Sequence, residues 1–155
     1  MDESIEARLA RLNVVLPAPA APAANYVPFM RHEKLLIISG QLPLSGGGVT
    51  CRGRLGDGVT LEEGREAARL CAINILAQAK AALDGDLERI GQVLKITGFI
   101  ASAPHFCEQH LVLNGASDFL AEALGPRGRH ARAAVGTASL PMDAAVEVDA
   151  MIAVR

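Results

Sequence analysis

Arg132 and Glu147 are the two side chains whose chemistry and placement combine best in this sequence. The segment Gly128-Arg-His-Ala-Arg132-Ala-Ala-Val-Gly136 puts a guanidinium at the start of an expected strand, just after a turn. A guanidinium offers a planar fork that grips a carboxylate through two parallel hydrogen bonds. Further on, Glu147 falls in a run where Val146, Val148, Ala150, Ile152 and Val154 alternate with Glu147, Asp149, Met151 and Ala153. That period of two buries one face of a strand and turns Glu147 to the other. A cation to anchor and a carboxylate to move a proton would suit a small carboxylic acid. From pattern alone the more ordinary description, a structural ion pair or two unrelated solvated charges, stays open.

Other candidates are weaker. Ser39-Gly40-Gln41 closes an apolar strand, and a glycine there permits close approach of a backbone or a ligand. Tyr26, the single tyrosine, could orient a polar ligand or anchor the segment before it. Asn114 on an expected helix is open to the same two readings. Arg127, Arg129, His130 and Arg132 could touch phosphates, although a solvated turn with one buried arginine explains them as well. His105 and His110 would diverge by about 140° on a helix, and no second Cys/His pair accompanies them, so no metal site is expected. Ser45-Gly46-Gly47-Gly48 leads into a strand-like stretch and not into a helix, unlike a phosphate-binding loop. Cys71 falls on the apolar face of a helix, where an inert thiol is expected.

Composition removes whole classes of function. The chain has 155 residues, half of them hydrophobic and 21% charged, which argues against global disorder and fits one domain of ordinary size. A net charge of -2 does not suit a broad grip on nucleic acid or on anionic membrane. With 3% aromatics and no Trp, platforms for stacking bases are scarce. Three cysteines without a C-x-x-C spacing do not make a disulfide framework. The N-terminus lacks the pattern of a secretory signal, and no apolar run reaches the ~18–20 residues of a membrane span. A cytoplasmic location is the resulting expectation.

The elements that must hold these residues follow from periodicity. Residues 2–13 predict a short helix with Ile5, Leu9 and Leu12 on one stripe. Pro17 to Ala24 is a Pro/Ala strap, so residues 1–24 precede a single domain over 25–155. Two strands are expected in 26–41, broken at Arg31-His32-Glu33, then a glycine-rich loop over 45–58 with a short strand near Val49–Arg52. A helix over 61–83 opens on the capping-box pattern Thr60-Leu-Glu-Glu63, shows Ala68, Cys71, Ile75, Ala79 and Ala82 on one face, and stops by Gly85. A strand over 92–102, a helix over 105–124 and strands over 131–139 and 145–154 complete an α+β sheet with helices on one face.

Several of these segments recur together. Tyr26-Val27, Ser39-Gly-Gln-Leu-Pro43, Asn114-Gly-Ala-Ser-Asp-Phe119, Ala131-Arg132-Ala-Ala-Val135, Leu140-Pro141 and Val146-Glu-Val-Asp-Ala150 resemble, in order and spacing, the RidA (YjgF) family, also labelled endoribonuclease L-PSP. The likeness is greatest to a longer subgroup with an N-terminal helix. It implies a chorismate-mutase-like fold: a mixed β-sheet with two long helices on one face, assembled as a homotrimer with ligand clefts between subunits. An Ala-rich sheet face, flat and easily buried against a copy of itself, suits such an assembly. The resemblance also implies hydrolysis of reactive enamines and imines, such as 2-aminoacrylate and 2-iminobutanoate, to 2-keto acids and ammonia, without a cofactor. By the same resemblance Arg132 clamps the substrate carboxylate and Glu147 positions or activates water. Gly40 and the backbone at Ala134 offer hydrogen bonds, while Tyr26 and Asn114 line the cleft. Two positions depart from the family pattern: Ala134 stands where a Cys is common, and Ser117 where an aromatic is common. A non-catalytic trimer that binds small carboxylates is the alternative. An RNA-cleaving protein is opposed by the charge and the scarce aromatics.

Overall fold

A computed structural model describes residues 3–155. Asp2, the first residue of the expected N-terminal helix, lies outside the described residues. Helix α1 spans Ile5–Arg11, with Ser4 as N-cap accepting from the Ala7 N–H, and it buries Ile5 and Leu9. It is tied to the body by the Ile5 N–H, which donates to Glu88 Oε1 at 2.7 Å, and by a Lys80–Glu6 ion pair at 2.9 Å. The strap that follows has no regular secondary structure.

Strands β1 (Phe29–His32) and β2 (Leu35–Gln41) form an antiparallel hairpin. The expected break at Arg31-His32-Glu33 falls later: Arg31 and His32 pair with Leu36 and Leu35, and the turn begins at Glu33, whose φ is 52°. The glycine-rich region holds two small ribbons, not one strand near Val49–Arg52. They are β3 (Leu44–Ser45) with β4 (Gly48–Val49), and β5 (Arg54–Leu55) with β6 (Gly58–Val59). Helix α2 spans Leu61–Ala82 behind a complete capping box: Glu63 N–H donates to Thr60 Oγ1, and Thr60 N–H to Glu63 Oε2. Its end is closed where Gly85, at φ 88°, donates its N–H back to Lys80 O.

Strand β7 (Ile90–Ala101) leads to α3 (Gln109–Leu124), then to β8 (Ala131–Thr137) and β9 (Val146–Val154). Helix α3 starts four residues later than Pro104 suggests. Phe106 N–H closes a turn onto Ala103 O, and the chain enters the helix only at Glu108. His105 therefore precedes the helix that carries His110. The main sheet has the order β1-β2-β9-β7-β8, with β7 and β8 parallel and the other neighbours antiparallel. It is a mixed sheet, and α2 and α3 cover one face.

The core lies between that face and the helices. Leu36, Ile38, Ile96, Ile100, Val148 and Ile152 from the sheet meet Cys71, Ile75, Val112, Leu113, Phe119 and Leu120 from the helices, each at most 2% exposed. The helices approach closely because Gly115 presents no side chain. A Cβ there would stand 2.0 Å from Arg65 O on α2. No described helix is long and apolar enough to cross a membrane.

Candidate functional site

Strand register decides which candidates share a face. In a sheet, directly paired residues point the same way and successive residues alternate. Arg132 pairs with Ile96, and Ile96 pairs with Ala150; both partners are buried beneath the helices. Val135, Phe99 and Glu147 form another row, three residues further along β8, so Glu147 points to the open face. Arg132 and Glu147 thus stand on opposite faces, with β7 between their strands. Within one chain they form neither the ion pair nor the joint site that their types suggest.

The six expected site residues divide along the same line. Arg132, Ala134 and Asn114 belong to the helix-covered side, at the end of the sheet where β8 is the edge strand. His110, Asn114 and Ser117 recur at helical spacing on the face of α3 that meets β8. Arg132 Nη2 donates to His110 O at 2.9 Å, and Nη1 donates to Ser117 Oγ at 3.1 Å. These contacts orient the guanidinium and leave three of its five N–H groups free for a ligand. Ala134 lies two residues beyond Arg132 on the same face and pairs with Gly98, where a Cβ would stand 2.6 Å from Leu113 Cδ1.

A half-buried chain of polar groups backs Arg132. His130 Nδ1 faces Gly128 O, and its Nε2 lies 2.9 Å from Ser117 Oγ. A carbonyl only accepts, so Nδ1 carries the proton, and neutral Nε2 accepts from the Ser117 hydroxyl. The same Ser117 oxygen accepts from Arg132. Burial pushes the His130 pKa below its ordinary value, the Gly128 bond opposes this, and the Arg132 charge adds to the lowering. Ser117 was not among the expected functional residues, and His130 was named only in a basic cluster that could touch phosphates. Their signal in the sequence was the pair of basic neighbours Arg129-His130 beside Arg132, and the serine three residues beyond Asn114. The cluster reads differently at Arg127, which pairs with Glu88 at 2.8 Å and also donates to Ile90 O, a structural role.

Gly40 and Glu147 meet in a second group, and Tyr26 shares a cleft with Gly40. A bulge interrupts the β2–β9 register between Ile38 and Gln41, and Gly40 sits in it. A Cβ on Gly40 would stand 2.1 Å from Glu147 Oε1, so glycine is what lets the carboxylate lie across β2. Ser39 holds the preceding segment down: its N–H donates to Pro28 O at 2.9 Å and its hydroxyl to Val27 O at 2.7 Å. Tyr26 stands beside this staple and, with Gly40, borders a cleft of about 420 Å³ beneath the Pro/Ala strap. Burial raises the Glu147 pKa above the usual carboxylate value, and the charge of Asp149 raises it further. Such a carboxyl is a better proton acceptor than an ordinary one. Among the described residues, no group of three His, Cys, Asp or Glu side chains could hold a metal ion.

Comparison with known proteins agrees with this architecture. Residues 6–153 match the family described as "YjgF/chorismate_mutase-like, putative endoribonuclease". Protein TCP17 of Trypanosoma cruzi is 49% identical over 149 residues, which cover 96% of this chain and 92% of that one. The crystal structure of Atu1372 from Agrobacterium tumefaciens superposes with a TM-score of 0.92 at 53% identity, covering 97% of this chain and 92% of that one. A structure from Shewanella oneidensis MR-1, titled as a putative endoribonuclease, reaches a TM-score of 0.95 at 34% identity, covering 98% and 100% of the two chains. At 23% identity the fold alone is shared with E. coli TdcF, which was solved with bound serine; the TM-score is 0.64, with 89% and 94% covered. A match across nearly the whole length, carried by the mixed sheet and its two covering helices, makes this chain a member of the YjgF (RidA) family.

Proposed function

We propose that this protein is a hydrolytic deaminase of reactive imines and enamines of small carboxylic acids, working in clefts between copies of itself in a homotrimer. The observation that carries this reading is the division of the candidate residues into two incomplete half-sites. One holds an oriented guanidinium with free N–H groups and no carboxylate beside it. The other holds a carboxylate with a raised pKa against Gly40 and no cation raising or lowering it. Neither half pairs the guanidinium with the Glu147 carboxylate. Docking the β8 edge of one copy against the open face of the next would complete a site at each junction, and a closed ring repeats the junction without leaving a half-site over.

In such a junction Arg132 of one copy holds the substrate carboxylate through its free N–H pair. The imine carbon then faces Glu147 of the neighbouring copy. Glu147 takes a proton from water as the water oxygen bonds to that carbon, and the C=N electron pair moves to nitrogen, which is protonated. The carbinolamine next loses its C–N bond. Glu147 returns its proton to the departing nitrogen, the hydroxyl proton is released as the C=O forms, and the products are a 2-keto acid and ammonia. An enamine enters after protonation at its β-carbon. The imine is already electrophilic, so orientation and one proton acceptor are sufficient chemistry.

Mixed trimers test this. Arg132→Ala and Glu147→Gln are each expected to abolish accelerated ammonia release from freshly generated 2-iminobutanoate. Dissociated and reassembled in equal amounts, the two variants should recover about a quarter of wild-type activity, because random pairing joins an intact Arg132 to an intact Glu147 at that fraction of junctions. No recovery, with trimers formed, would remove the shared cleft.

A second reading is a trimer that binds small carboxylates without turnover, and the serine held by TdcF is the observation that favours it. Calorimetric binding of 2-ketobutyrate, with no acceleration of imine loss, would decide for that reading.

A further inference from the structure

The polar line behind Arg132 ends in a titratable ring. Arg132 Nη1 donates to Ser117 Oγ at 3.1 Å, and that oxygen stands 2.9 Å from His130 Nε2. On its other side the ring is held through Nδ1 by Gly128 O. Neutral, His130 accepts from the Ser117 hydroxyl. Charged, it donates from both nitrogens, and both acceptors are already in place. One is Gly128 O. The other is the second lone pair of Ser117 Oγ, the first being taken by Arg132. Only the hydroxyl hydrogen has to turn, so this pocket accommodates either state without moving the ring.

What opposes the proton is therefore burial and charge, not a missing acceptor. Burial is the larger cause, and Arg132 is the charged side chain that adds to it. The other charged groups of the surrounding elements are engaged or face elsewhere. On α3, Asp118 reaches Arg65 of α2, Glu122 lines the groove between the two helices, and the His110 ring is exposed while its carbonyl holds Arg132. In the turn before β8, Arg127 pairs with Glu88 and Arg129 is exposed. On β7, Lys95 pairs with Ala131 and so points to the face opposite Arg132. The charge on Arg132 is thus the cost that a ligand can remove.

We propose that His130 is a positioning residue that takes up a proton when a carboxylate closes on Arg132, so that the clamp and the ring behind it charge together. The proposal rests on the Arg132 clamp described above and extends it. A carboxylate on the free N–H groups offsets the guanidinium charge and so removes part of the cost of a second cation one serine away. Coupling of this kind is reciprocal: a proton on His130 must strengthen the hold on the carboxylate by the same factor. Charges several ångströms apart in a half-buried site make that factor about threefold or more. An imidazole titrates close enough to neutrality for the coupling to act there.

The test is calorimetric binding of 2-ketobutyrate, which stays anionic throughout, in two buffers of different ionisation enthalpy. It uses the Glu147→Gln protein, so that the other titrating group of the proposed cleft is silent. Binding should take up a fraction of a proton, and Kd should fall about threefold or more from about pH 7.5 to about pH 5.5. Adding His130→Gln, which keeps an acceptor for the Ser117 hydroxyl but cannot charge, should abolish both effects while binding persists, with thermal melting to confirm the fold. In parallel, ring-proton NMR follows the four histidines of the otherwise unaltered chain. The His130 signal should titrate at higher pH when 2-ketobutyrate is bound, and also in Arg132→Ala without ligand. Binding without proton uptake, or uptake that survives His130→Gln, overturns the proposal and leaves the clamp standing. So does a His130 titration that bound 2-ketobutyrate leaves unmoved, a result that decides the matter even if His130→Gln does not fold. No binding of 2-ketobutyrate by either protein overturns the clamp and the proposal together.

Discussion

At the scale of single residues, the two charged groups are prepared differently. Arg132 is prepared by hydrogen bonds. Two acceptors on α3 aim it, and one of them, Ser117, is itself held by His130. Ser117→Ala removes the Nη1 anchor but keeps the His110 carbonyl. A hydrogen bond to a charged group contributes about 1.5–3 kcal/mol, so KM for the imine should rise about tenfold or more while kcat changes little. Ser117→Thr, which restores the hydroxyl, should recover most of the loss. A fall in kcat at constant KM would place Ser117 in the chemistry and not in positioning. Glu147 is prepared by its surroundings: burial is the larger cause of its raised pKa and the Asp149 charge the smaller. The acid limb of the kcat/KM profile should therefore lie above the usual carboxylate range, with activity rising as Glu147 deprotonates. Asp149→Asn keeps an oxygen for the Thr97 N–H, which donates to Asp149 Oδ1 at 3.1 Å, and removes the charge. The Glu147 pKa should then fall part of the way back, and the limb should move to lower pH without disappearing. An unmoved limb would mean that another group governs it.

At the scale of elements, helix packing is what brings α3 to Arg132. Gly115 sits one residue from Asn114, and its missing Cβ sets the separation of α2 and α3. Alanine favours a helix over glycine by up to about 1 kcal/mol. Overpacking against a backbone carbonyl, which cannot rotate away, typically costs about 1–3 kcal/mol. Gly115→Ala should therefore destabilise on balance and lower Tm by a few degrees in a melt at fixed protein concentration, whereas an exposed helical Gly→Ala change would raise it. Much of this level was legible in the sequence, because its signals are local. The Thr60–Glu63 capping box, the apolar stripe of α2 and the alternation through β9 each declare themselves within a few residues. The start of α3 did not. Pro104 suggests a helix start, but Ala103 and Phe106 first close a turn, and Glu108 opens the helix without a side-chain cap. The faces of Arg132 and Glu147 were also hidden. They depend on β8 pairing with β7 and on β7 pairing with β9, partners far apart in the sequence, and a shift of one residue in either pairing would reverse the answer.

For the whole molecule, the open face of the sheet is the feature that the fold leaves unpartnered. Met30, Ile37 and Met151 form one apolar row across β1, β2 and β9, exposed by 61%, 41% and 42%, and Val135 continues the face on β8. Exposed apolar side chains gathered on one face suit an interface, and Glu147 stands on the same face. The proposed trimer would cover it with copies of this chain and bring a neighbour's Arg132 to each Glu147. Light scattering at micromolar concentration should then report a mass three times the 16.2 kDa of the chain. Ile37→Glu tests the link between assembly and activity. In a lone chain a charge at this exposed position should change stability by no more than about 0.5 kcal/mol, but within a packed interface the same charge is buried without a partner. The variant should scatter as single folded chains and should lose accelerated imine hydrolysis together with the trimer, although Ile37 belongs to neither half-site. Full activity from a monomeric variant would show that one chain suffices, and the separation of Arg132 from Glu147 by the sheet would then need a different explanation.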